Sequence, residues 1–254
     1  MILRRTALAM GILLACTGSD LQAKQPAKAV PEQTMQTDPR LTQSQQAIVT
    51  ISAFTAQGTI PQLTKALNAG LDAGLTVSEI KEILVQLYAY AGFPRSLNAL
   101  QAFMDVLKER KQRGINDPAG KEPSLLPADR NRRQFGTDNQ TKLIGMPIKG
   151  GIFEFAPAID QFLKEHLFGD IFGRDNLDWK TRELATISAL ASLGGVDSQL
   201  RSHLNIGLHN GLSEGELTQL VSIIQTSIGE KEGAAASQVW QALRKERAGN
   251  PSMK

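Results

Sequence analysis

The chain has 254 residues, a formal net charge of +3 and one cysteine, Cys16. That length can bury a real core, as one large domain or two small ones. The small charge excess, and the lack of aromatic residues around the one basic knot (Arg130, Arg132 and Arg133), count against a nucleic-acid-binding face. With its single thiol so near the start, the rest of the chain has no disulfide, thiolate metal ligand or thiol redox chemistry available.

Residues 1–23 read as an export signal. Arg4 and Arg5 form a positive start, and residues 6–16 form an apolar run too short for a stable membrane anchor. Two processing outcomes stay open. Leu13-Leu14-Ala15-Cys16 resembles a lipoprotein box, which would put a lipid on Cys16, while Leu21-Gln22-Ala23 suits ordinary cleavage. Both place the mature protein outside the cytoplasm, periplasmic or secreted, with membrane contact only through that lipid. Residues 24–39 are rich in Pro, Gln and Lys and read as a flexible tether.

Residues 40–112 then follow a helical pattern. Thr42 with Gln45 predicts a capping box, and Ala47, Ile48, Ile51 and Phe54 give one apolar face that ends at Gln57-Gly58. Pro61 suits the first turn of a second helix reaching Gly70 and Gly74. Thr76 with Glu79 predicts another capping box, Gly92-Phe93-Pro94 breaks the chain, and a further helix runs to about Arg110. Residues 113–150 lack a sustained period and read as a polar linker.

The same pattern returns over residues 151–248, after an extra leading helix from about Phe155 to Leu167. Thr50-Ile51-Ser52-Ala53 recurs as Thr186-Ile187-Ser188-Ala189, and the Asn68–Leu75 stretch as Asn205–Leu212. The caps Thr76/Glu79 recur as Ser213/Glu216, and Lys108-Glu109-Arg110 as Lys245-Glu246-Arg247. Glycines and caps repeat along with core positions, which points to an internal duplication. The predicted fold class is all-α, two tandem helical units joined by the linker. Neither unit can cover its own apolar face, so the copies should pair with each other, and chains with chains.

Leu177-Asp-Trp-Lys-Thr-Arg-Glu-Leu-Ala-Thr-Ile187, Gln199-Leu-Arg-Ser-His-Leu-Asn-Ile-Gly-Leu208 and Gly211-Leu-Ser-Glu-Gly-Glu-Leu217 resemble the carboxymuconolactone decarboxylase family. In the first copy, Gly74-Leu-Thr-Val-Ser-Glu-Ile80 and Tyr90-Ala-Gly-Phe-Pro94 are similar to the same pattern. The resemblance implies the alkylhydroperoxidase-like fold, homo-oligomers (for a doubled chain, a trimer), and decarboxylation of a small molecule without metal or organic cofactor. Peroxidase-type relatives carry Cys-x-x-Cys, a His four residues later and an upstream Glu. Here the second copy keeps Glu183 and His203 but has Val196 and Gln199 at the cysteine positions, and the first copy has Ala47 and Ala66 for the Glu and His. Peroxidase chemistry is therefore disfavoured in both copies.

The residues that remain suit decarboxylation, which must hold a carboxylate, stabilise an enolate-like charge and return a proton to carbon. His203 is the expected proton carrier, since imidazole titrates near neutrality, and Glu183 would fix its tautomer. Arg182 and Arg201 are the candidates to hold a carboxylate. Arg182 is preferred, because Arg201 lies two residues from His203 on a helix and should point away, while Gln199 shares the His203 face. His209 and His166 read as structural, and the six-residue spacing of His203 and His209 does not make a zinc pair. Tyr88 and Tyr90 point to different faces, so at most one can join the core. The competing reading is a non-enzymatic oligomeric module that binds a small molecule or partner.

Overall fold

Local signals start most of the helices. In the computed structural model, which describes residues 39–250, α1 (Gln43–Gln57) opens on a full capping box between Thr42 and Gln45 and closes on Gly58. Pro61 sits in the first turn of α2 (Ile60–Asp72), where its missing N–H costs nothing. The Thr76/Glu79 box opens α3 (Val77–Gln86), a four-residue α4 follows (Tyr88–Ala91), and Gly92 separates it from α5 (Phe93–Gln112).

The second copy repeats this order in α9 (Trp179–Leu193), α10 (Asp197–His209), α11 (Glu214–Ile223) and α12 (Glu230–Gly249). A capping box at Ser213/Glu216 opens α11, and a π-helical turn, Ile224–Ile228, stands where α4 stands in the first copy. No strand occurs among the described residues, and the fold is all-α as expected.

The duplication extends to individual contacts. A Cβ on Gly70 would lie 2.9 Å from Ile51 Cδ1, and one on Gly207 would lie 2.8 Å from Ile187 Cδ1, so both copies need glycine for the same close helix approach. Arg110 donates to Asn68 Oδ1 at 3.3 Å, and Arg247 donates to Asn205 Oδ1 at 2.7 Å. The copies are not separate bodies. α1 packs on α9, the Ser192 hydroxyl donates to Ala53 O at 3.3 Å, and one core of buried side chains runs from Leu41 to Leu243. Merging the apolar faces solves the burial problem that either unit alone would have.

The stretch between the copies departs from the expectation of an irregular linker. It contains α6 (Arg132–Ile144), capped by Asn131 and closed by Gly145. The helix has no apolar stripe to mark it in the sequence: its buried residues are Gly136, Asn139, Gln140 and Leu143. Ahead of it, Pro118 O and Ala119 O accept from the amides of Val77 and Ser78, which supplies partners to the otherwise open start of α3. The anticipated leading helix is present as α7 (Ile152–Phe155), α8 (Pro157–Gln161) and a continuous π-helical segment, Phe162–Ile171.

α6 lies along that π segment. The Arg130–Arg133 knot is turned onto it, with Arg130 and Arg132 meeting Asp170 and Arg133 meeting Asp160. Gly136 makes the approach possible, because a Cβ there would fall 1.6 Å from Lys164 O. The neighbour is backbone and cannot rotate away. Gly136→Ala is expected to destabilise the protein by about 1–3 kcal/mol, read as a lowered unfolding midpoint. An unchanged midpoint would mean that α6 does not pack this tightly.

Candidate active site

Two helices and one short element from the other copy bring the site together. Asp178 caps α9, accepting from the Thr181 amide at 2.7 Å, and sets the register that turns Glu183 inward, where it is wholly buried. α10 returns after the turn at Gly194 and Gly195, and its His203 places Nδ1 2.8 Å from Glu183 Oε2. With Nδ1 committed to the carboxylate, Nε2 is the nitrogen left to face a ligand; it has no hydrogen-bond partner among the described residues. The second carboxylate oxygen, Oε1, is buried without a partner.

Tyr90 of α4 completes the group. Its ring stands edge-on to the His203 imidazole, with centroids 5.6 Å apart and planes at 83°. Its hydroxyl is buried without a well-formed hydrogen bond, with the Thr186 side chain as a polar neighbour. Burial pushes the phenol well above its ordinary range, and the Glu183 carboxylate pushes it further, so Tyr90 is a neutral donor at any physiological pH. Tyr88 does point elsewhere, stacking on Phe93 at 4.2 Å. Sequence reasoning had placed neither tyrosine at the site.

A comparison of the two copies supports counting Tyr90 with the dyad. The repeat register, carried by the caps Thr76/Ser213 and the glycines Gly92/Gly229, matches Tyr90 with Ser227. At the symmetry-related position the three counterparts are therefore Ala47, Ala66 and Ser227. Ala47 and Ser227 line one surface hollow there, together with Thr50 and Ile223. Carboxylate, imidazole and phenol are all replaced at the matched positions of the other copy.

His203 and Tyr90 open into a cavity of about 600 Å³. α10 forms one side with Gln199, Arg201, Ser202 and His203, and the segment from α6 to the π segment forms the other, mostly with Ile, Leu and Phe. Gln199 is exposed at the mouth and accepts from the Ser198 hydroxyl at 2.9 Å. Arg201 also lines the cavity, against the expectation that it points away, and one of its nitrogens pairs with Glu246. The cavity is wide enough for flanking positions of α10 to reach its edge, not only the His203 face.

Arg182 lies elsewhere. It is wholly buried and faces α3: Nη1 donates to Gln86 Oε1 at 2.9 Å, and Nη2 donates to Glu82 Oε1 at 2.9 Å and to Arg174 O at 3.0 Å. Successive residues on a helix point about 100° apart, and α9 is surrounded, so Arg182 and Glu183 are both buried but against different neighbours. The preference for Arg182 over Arg201 as a carboxylate holder is corrected by this placement. Among the described residues, no three His, Cys, Asp or Glu side chains converge on a metal-sized site. Cys16 and the residues read as an export signal and tether, up to residue 38, lie outside the described residues.

The fold and site define an internally duplicated, all-α protein of the alkylhydroperoxidase-like kind, with one Glu–His pair and no thiol beside it. The chain belongs to the carboxymuconolactone decarboxylase family, whose model matches residues 26–105 and 157–242. It is 30% identical over 97 residues to a 4-carboxymuconolactone decarboxylase of Acinetobacter baylyi, a match covering 37% of this chain and 72% of that protein.

Proposed function

We propose that the protein catalyses cofactor-independent decarboxylation, or closely related acid–base chemistry, on a small carboxylated lactone or keto acid outside the cytoplasm. The observation that supports this best is the His203 imidazole, held through Nδ1 by a buried carboxylate with Nε2 free toward a cavity. The family membership and the similarity to a 4-carboxymuconolactone decarboxylase point the same way.

In this reading the bond between carbon and the departing carboxylate breaks as carbon dioxide leaves. Its electron pair moves onto the neighbouring carbonyl system, and the resulting enolate carbon takes a proton from Nε2 of the His203 imidazolium. Glu183 holds the ring in place and steadies its positive charge. Arg201, at the cavity edge, is the available partner for a substrate carboxylate. Tyr90 fixes the ring from its edge and keeps a neutral hydroxyl beside Glu183.

The test is carbon dioxide release by the purified protein from muconolactone-type acids and β-keto acids. Release from at least one of them supports the reading. If every acid is left intact while a ligand is still retained, the protein is a binding module and the lyase proposal is wrong.

Self-association is part of the same proposal. Phe93, Leu97 and Met104 on α5 are each at least 60% exposed, an apolar stripe unusual for an isolated chain. Light scattering is expected to show an oligomer, a trimer by family likeness, that Leu97→Glu dissociates. A monomeric wild-type protein would refute it.

A further inference from the structure

The geometry points to a ligand with a single carboxylate and an extended apolar body, not a small dicarboxylate, as the molecule that fills the cavity beside His203. The inference rests on the reading of His203 as the reactive group and adds the chemical class of what reaches it.

The wall facing His203 does not come from the repeated helices. Ile144 ends α6 and Ile148 follows it, Ile152 and Phe153 belong to α7, and Ile159 and Leu163 lie on α8 and the π segment. The first copy has no counterpart to this wall among the described residues. A surface made mostly of such side chains, with the Gln140 amide of α6 as a polar point on it, gains by covering apolar area and gives an extended polar body little to hydrogen-bond. At about 600 Å³ the space lies in the range that holds drug-sized molecules, which is roomy for a small diacid.

Charge limits the head group. Among the described residues, Arg201 is the one permanently charged side chain lining the cavity. Arg201 is partly exposed at the cavity rim, so a carboxylate paired with its guanidinium keeps part of its water while gaining a charge-assisted partner. Arg201 can serve one: it donates to Glu246 from a single Nη, and its other N–H groups have no partner among the described residues. A second carboxylate far along the body would meet isoleucine and phenylalanine side chains, and one at His203 would occupy the face from which Nε2 delivers its proton. The ligand therefore lies with its carboxylate at Arg201 and its body along the inserted wall, passing His203.

Calorimetric titration of the purified protein with decanoate, decanol and adipate tests this. Decanoate is expected to bind about tenfold or more tightly than either of the others, the margin of one charge-assisted hydrogen bond. Arg201→Gln should weaken decanoate by about the same factor and leave decanol unchanged. Glu246→Gln, which frees the guanidinium, should tighten decanoate. Adipate binding as well as decanoate, or decanoate affinity indifferent to Arg201→Gln, overturns the inference. Decanoate has no carbonyl placed to accept the electron pair and cannot lose carbon dioxide, so binding is read apart from turnover. Decanoate binding with no decarboxylation of any acid would sink the lyase reading and leave this one standing. Turnover of a small diacid with no decanoate binding would do the reverse.

Discussion

His203→Asn is expected to lower the rate of carbon dioxide release by about 10²–10⁴, the usual worth of a positioned acid–base group, with little change in folding. Asparagine is the cleaner choice than alanine. Glu183 is wholly buried with Oε1 already unpartnered, so His203→Ala would leave the whole carboxylate stranded and mix a folding defect with a catalytic one. The amide of asparagine can still donate to Oε2 but cannot carry a proton to carbon. Glu183→Gln should cost less than His203→Asn, because it misorients the imidazole without removing it. Tyr90→Phe keeps the ring edge against His203 and removes only a buried hydroxyl without a well-formed hydrogen bond, so activity is expected to fall by less than in His203→Asn or Glu183→Gln, with KM nearly unchanged. If His203→Asn retains full activity on a substrate the wild type decarboxylates, the imidazole is not the proton carrier and the mechanism is wrong.

What the sequence revealed about this fold followed the range of the interactions involved. Capping boxes at Thr42/Gln45, Thr76/Glu79 and Ser213/Glu216 are complete within four residues, and each opens a helix where expected. The duplication was visible because a close helix approach demands glycine at both Gly70 and Gly207. α6 was not visible. It owes its place to Gly136 and to ion pairs with Asp160 and Asp170, contacts that leave no periodicity in a polar stretch.

The site divides in the same way. Glu183 and His203 belong to one copy and to one recognisable motif. Tyr90 reaches them from the other copy, through a tertiary contact that no local pattern encodes. The choice between Arg182 and Arg201 turned on the width of a cavity and on which neighbour each side of α9 meets, and helix periodicity contains neither.

Glu82→Ala is expected to destabilise the protein by about 3–5 kcal/mol, the cost of leaving a buried charge without its counter-ion, and Arg182→Met by distinctly less. Both remove one side of the same ion pair, in which Arg182 Nη2 lies 2.9 Å from Glu82 Oε1, yet the groups left behind differ. Without Glu82, the Arg182 guanidinium stays fully buried with only Gln86 and a backbone carbonyl as acceptors, and its Nε already lacks a partner. Burial lowers the Arg182 pKa, and the Glu82 carboxylate is the first influence opposing that fall, so deleting Glu82 removes what keeps the cation tolerable. Without Arg182, Glu82 keeps the Arg174 Nε at 2.9 Å and the Asn176 amide at 3.2 Å, and methionine fills much of the vacated volume. Denaturant unfolding of the two variants gives the order directly. The same pair of variants separates a structural from a substrate-holding Arg182. A structural residue loses stability on replacement by methionine and leaves KM alone, whereas one that grips substrate raises KM and leaves the unfolding midpoint where it was. The second pattern would require Arg182 to turn from α3 toward the cavity, breaking its bonds to Gln86, Glu82 and Arg174 O.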